Sequence, residues 1–234
     1  MRRFRSVAVL AAATVLFVAC APQETRPPPA PTGATAVEST LQRRYDDLAR
    51  SGKPVFDIDP ARSLVVVEVR RAGTLASVGH DHVVASHDLR GYVAPSEGRA
   101  DVLMRADTLA VDEDGSRAEV GFDTHPTADD IAGTRRNMLR ILRADEHPFV
   151  VASVEGIRAV SGAQVVRPTF TVAGVDRATE APATIEMTGD SIRITGRTSI
   201  RQTDFGIRPF SILGGALQVD DAVPVRFDIV ARRR

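Results

Sequence analysis

The last apolar stretch of the chain, Ala222-Val223-Pro224-Val225-Arg226-Phe227-Asp228-Ile229-Val230-Ala231, decides the reading of the fold. Val223, Val225, Phe227 and Ile229 fall on alternate positions, with Arg226 and Asp228 between them. A period of two puts the first set on one face of an extended strand and the charged pair on the other. Working back along the chain, the same chemistry recurs in short runs. Residues 63–71 are rich in β-branched Val, after the turn residues Asp59-Pro60-Ala61-Arg62. Residues 82–93 and 99–108 follow, joined by Pro95-Ser96-Glu97-Gly98. Then come 149–157, 165–173 and 181–188, with a turn expected at Gly174-Val175-Asp176-Arg177. A tight hairpin at Gly189-Asp190 leads into 191–201. Many short antiparallel strands of this kind imply an all-β sandwich or barrel.

Two helices break the pattern. Thr127 offers a hydroxyl N-cap with Asp129 and Asp130 in the first turn, which starts a helix over 127–142. Its apolar stripe is Ile131, Met138, Leu139 and Leu142, and the helix is expected to lie outside the sheet or across one mouth of a barrel. Arg136, Arg140 and Arg143 form a separate face, suited to solvent or to anionic headgroups. A shorter helix is read over 37–53, from the spacing of Val37, Leu41, Tyr45 and Leu48 and the stop at Gly52.

The N-terminus reads as an address. Met1-Arg2-Arg3-Phe4-Arg5 is basic and residues 7–19 are apolar, too short a run to rest in a bilayer as a permanent helix. It ends in Val18-Ala19-Cys20, which resembles a bacterial lipoprotein signal with Cys20 as the lipidated new N-terminus. The expected organisation is therefore a signal over 1–19, a Pro-rich tether over 20–36, the short helix over 37–53 and one domain over 54–234. The implied location is the bacterial envelope, on the periplasmic side of the outer membrane, with contact to the membrane through the lipid anchor.

Composition removes several functions. With 30 basic against 30 acidic residues there is no global pull toward nucleic acid. A single cysteine forbids an internal disulfide or a cysteine zinc cluster. The chain holds no Gly-rich phosphate loop, no His-Glu-x-x-His and no Gly-x-Ser-x-Gly elbow, so it does not read as an enzyme. Asp112, Glu113 and Asp114, followed by Gly115, read as a turn.

Three segments resemble the YceI-like polyisoprenoid-binding family. They are Leu142-Arg143-Ala144-Asp145-Glu146-His147-Pro148-Phe149, Phe170-Thr171-Val172-Ala173-Gly174-Val175-Asp176-Arg177 and Ile200-Arg201-Gln202-Thr203-Asp204-Phe205-Gly206-Ile207. The resemblance covers about 56–230. It implies an eight-stranded antiparallel barrel of lipocalin-like shape with an apolar channel for an isoprenoid, quinone or other long chain. No cofactor is required on this reading beyond such a bound lipid. The expected inward residues are Val66, Phe149, Phe170, Val172, Ile185, Ile194 and Phe227, which would serve a hollow barrel or a solid one equally. A solid barrel would make the protein an interaction scaffold.

The chain departs from the family where Arg70-Arg71-Ala72-Gly73 replaces an expected His, and Gly79-His80-Asp81-His82 follows. On an extended strand His80 and His82 share a face, so they could form a zinc or copper half-site or serve a metal-dependent enzyme. His87 is the nearest third donor and Asp88 a weaker one, provided the strand is bulged; His125 and His147 lie too far along the chain to assign. Nothing in the sequence fixes the oligomeric state.

Overall fold

A computed structural model describes residues 33–234, with side chains from residue 36. The signal, Cys20 and nearly all of the tether lie outside the described residues.

Of the strands read from the sequence, 63–71 breaks at Arg70 and 82–93 at His87-Asp88, while 99–108 ends early in a 3-10 turn. Phe56–Ile58 (β1) and Leu64–Val69 (β2) are separated by a 3-10 turn at Pro60–Arg62, where the Asp59 side chain accepts from the Ala61 amide at 3.2 Å. Ser63 repairs the ladder at this break: its Oγ accepts from the Val230 amide at 2.9 Å and donates to the Val230 carbonyl at 3.2 Å. Arg71–Ala72 (β3) follows. His82–Ser86 (β4) and Leu89–Ala94 (β5) part at His87 and Asp88. Arg99–Arg105 (β6) and Ala110–Val111 (β7) part at a second 3-10 turn. The remaining strands are Phe149–Glu155 (β8), Gly162–Val172 (β9), Val175–Ala178 (β10), Ala181–Met187 (β11), Ser191–Arg201 (β12), Ser211–Ile212 (β13), Leu217–Val219 (β14) and Ala222–Arg233 (β15).

Antiparallel pairing runs β1-β5-β6-β8-β9-β11-β12-β15 and returns from β15 to β1, a closed ring of eight strands. β15 is long enough to pair with both β1 and β2, on either side of the Pro60–Arg62 turn. It pairs with β1 through Phe56↔Arg233 and with β2 through Val67↔Val225. The β2-β4-β7 branch thereby extends the wall at one end, which we call the mouth. Closure leaves no free edge among the ring strands. The turn expected at Gly174 to Arg177 is tighter than its sequence suggests. Ala173 and Gly174 both have positive φ, 50° and 79°, and Val175 already pairs with Val172. Two consecutive left-handed residues make the hairpin geometry that matches strand twist.

The N-terminal helix, Gly33–Arg50 (α1), begins four residues before Val37 and lies on the outer wall of β5 and β6. Tyr45 is its anchor. Its ring stacks on Tyr92 at 4.7 Å, and its hydroxyl donates to buried Asp101 Oδ2 at 2.8 Å. Burial and the negative charge of Asp101 push the Tyr45 phenol far above its ordinary range. Asp114–Val120 (α2) is a helix where a turn is expected from the acidic run. Ala128–Ile141 (α3) starts with a capping box between Thr127 and Asp130 and spans the mouth. Ile131, Met138 and Leu142 are half-buried there against Val84, Leu109 and Val111. β13, β14 and β3 form a small sheet that supplies the opposite rim. Among the described residues no helix is long and apolar enough to cross a membrane.

Candidate functional site: an apolar cavity under a helical cover

Strand parity sorts the side chains. On β2, Val65, Val67 and Val69 point inward, and their partners Ser86, Val84 and His82 on β4 point with them. Across β15 the inward row is Val223, Val225, Phe227 and Ile229, as the opening alternation requires. Below the level of Ile194 the barrel is filled by Phe56, Ile58, Ile185 and Ile192. Above it a cavity of about 350 Å³ remains. That lies in the range of small-molecule sites, about 300–1,000 Å³. Its cover is the inner face of α3, through Thr134, Asn137, Met138 and Ile141. Five uncharged polar or imidazole side chains interrupt the apolar lining: His82, Ser86, Thr134, Asn137 and Gln202. Among the described residues no carboxylate, Lys or Arg lines it.

Of the seven residues expected inside, Phe170, Val172, Ile194 and Phe227 line the cavity. Ile185 is buried in the filled end below it. Two expectations are corrected. Val66 has the wrong parity: it pairs with outward Arg226 and shares an outer groove with Leu64 and Glu119. Phe149 likewise faces out and packs with Leu41 of α1 and Leu103. Both are buried, but under elements on the outside of the barrel.

The proposed metal half-site is corrected as well. β4 begins at His82, so His80 is not on the strand, and the two rings lie 6.3 Å apart, edge to face. Both His82 nitrogens are occupied, Nδ1 by Asp112 Oδ2 at 2.6 Å and Nε2 by Thr134 Oγ1 at 3.3 Å. His87 turns to Glu113 at 2.7 Å, and Asp88 binds Arg90 at 3.3 Å. Among the described residues no group of three or more His, Cys, Asp or Glu is arranged to hold a metal ion. With Nδ1 on Asp112, the remaining nitrogen of His82 is directed at Thr134 Oγ1 and not at a second metal donor. His147 is spent under the Gly174 turn, where a Cβ would come within 2.5 Å of its ring.

Asp112 is the functional-site neighbour that the sequence hid. Its side chain is fully buried, and Oδ1 accepts from the Val83 amide at 3.0 Å and from Arg117 Nη1 at 2.5 Å. Arg117 is brought in by α2 and also donates to the Asp81 carbonyl at 2.7 Å. Burial opposes ionisation of Asp112, but the hydrogen bonds from His82 and Val83, with Arg117 behind them, outweigh it. They hold the carboxyl below its usual range. The network fixes the His82 ring at the mouth and leaves α3 bound to it through Thr134.

A closed eight-stranded up-and-down barrel, filled at one end and hollow at the other beneath a helix, is a lipocalin-like barrel. Within that class the chain belongs to the YceI-like domain family, whose model matches residues 56–231. The family is not known for enzymes. Solved structures share the fold, two of them over nearly their whole length. One is described as a polyisoprenoid binding domain from Saccharophagus degradans implicated in plant cell wall breakdown; at 12% identity and a TM-score of 0.55 it covers 76% of this chain and 98% of its own. The other, BcnA of Burkholderia cenocepacia, is 16% identical with a TM-score of 0.50, covering 74% and 99%. No curated protein matches the chain.

Proposed function

We propose that this protein is a carrier that holds one long apolar chain, an isoprenoid or a quinone tail, in the barrel. The observation that carries this reading is the cavity itself, lined mainly by apolar side chains and covered by α3. Each methylene transferred from water into such a lining is favourable by about 0.8 kcal/mol before ordering costs. The Saccharophagus neighbour, described as polyisoprenoid-binding, supports the choice of ligand class. The rim adds a path for an apolar chain, since Phe210 lines the cavity while Ile212 and Leu213 beside it are exposed.

The carrier works at a membrane, on this proposal, because Cys20 is lipidated after removal of 1–19 and the Pro-rich segment spaces the barrel from the envelope's outer membrane. Native mass spectrometry with an added C15 to C40 isoprenoid alcohol tests the binding claim. One bound chain per protein is expected, and no adduct at any chain length would refute it.

A further inference from the structure

Among the described residues, the cavity lining contains one fully buried side-chain polar atom without a hydrogen-bond partner. Among the five polar side chains of the lining, four are engaged. His82 and Thr134 bind each other, Asn137 Oδ1 accepts from Arg140, and Gln202 Nε2 donates to the Asp220 carbonyl. Ser86 is the fifth. It is 1% exposed, and its Oγ finds no hydrogen-bond partner among the described residues. A buried hydroxyl left unpaired is costly, so such groups are normally matched.

Its position is set by β4. His82, Val84 and Ser86 share the inward face, so Ser86 stands about 13 Å below His82, at about 3.3 Å per residue. There it faces Val65 across the ladder, and Val65 pairs in turn with Phe227. Ser86 therefore stands among apolar side chains, away from the mouth. With no carboxylate, Lys or Arg on the lining, an ionised head would go uncompensated at this depth. An uncharged oxygen would not, because a serine hydroxyl donates to a carbonyl and both donates to and accepts from an alcohol.

We infer that the ligand enters head first, with an uncharged hydroxyl or carbonyl oxygen hydrogen-bonded to Ser86 and its apolar tail running up to the mouth past His82. The inference rests on the carrier reading and deepens it: the preferred ligand is an isoprenoid alcohol, aldehyde or ketone, not a hydrocarbon or a phosphorylated chain.

The test compares farnesol with farnesene, the same skeleton with and without the oxygen, by displacement of a fluorescent chain. Wild type should bind farnesol about tenfold more tightly, and Ser86→Ala should abolish that preference while leaving farnesene affinity unchanged. Farnesyl phosphate should bind more weakly than farnesol. A Ser86→Thr variant, which keeps the hydroxyl, should retain the preference and guards against an effect of packing alone. Equal binding of both probes by wild type would overturn the inference and leave the carrier reading standing. So would a preference that survives Ser86→Ala but disappears in Thr134→Val, since the head would then sit at the mouth. Binding of neither probe would overturn both.

Discussion

Replacing Val172 by Phe puts an aromatic ring into the cavity, and the consequence can be worked out. Val172 is buried on β9 with its side chain on the lining. The substitution adds a net of about four carbons, displacing about four methylenes of any chain that fills the space. At about 0.8 kcal/mol each this is about 3 kcal/mol, or roughly 200-fold in Kd. The ring enters open volume, so the stability loss should stay below about 1 kcal/mol, less than the 1–3 kcal/mol typical of overpacking a filled core. The outward residue Val165, on the same strand and 55% exposed, provides the control: Val165→Phe should bind as wild type does. Displacement of a fluorescent isoprenoid gives the Kd, and a thermal melt reports the fold. Unchanged affinity in a folded Val172→Phe protein would mean that the chain does not lie in this cavity. Collapse of the fold would mean that the space is packed in solution.

Other outcomes follow from the same structure. Asp112 is held below its usual pKa, so its contribution to stability is complete above about pH 4 and is lost as pH falls through the lowered folded value. Asp112→Asn should flatten that acid limb in denaturant titrations run from about pH 2 to about pH 6, and an unchanged limb would remove Asp112 from the account. Tyr45→Phe strands buried Asp101 without its 2.8 Å donor and should cost about 1–3 kcal/mol in urea unfolding. Gly91→Ala should be worse, because φ is 136° and a Cβ would stand 1.9 Å from the Asp101 carbonyl oxygen; soluble expression of a variant with the wild-type melting temperature would contradict the register of β5 on β6. Cys20→Ser should abolish palmitate labelling and release the protein from membranes, and retained membrane association would refute lipidation.

Much of the barrel was legible because its inner and outer faces differ in chemistry along β15, β12 and β11. Arg193, Arg226 and Asp228 mark the outside there as clearly as Ile194 and Phe227 mark the inside. The reading failed where both faces are covered. The start of β2 is apolar at Leu64, Val65, Val66 and Val67 alike, and only the register with β15 shows that Val66 faces out. Phe149 misled for the same reason, since α1 supplies an apolar partner on the outer wall. The polar network was beyond reach because it joins His82 to Asp112, 30 residues apart, through a helix that an acidic Gly-containing run disguises. Ser86 carries no signal at all in the sequence. Its meaning comes only from the parity of β4 and from the absence, among the described residues, of a protein partner for its hydroxyl.

The central claim is that the cavity holds a single apolar chain, and lipid extraction tests it most directly. The protein should be purified from its native cells under mild detergent, denatured in organic solvent, and the released lipid identified and counted by mass spectrometry. The account predicts close to one equivalent of an uncharged, oxygen-bearing long chain, depleted in the Val172→Phe protein prepared in parallel. Absence of lipid from the native preparation, with none taken up on soaking, would contradict it and leave a barrel that carries nothing.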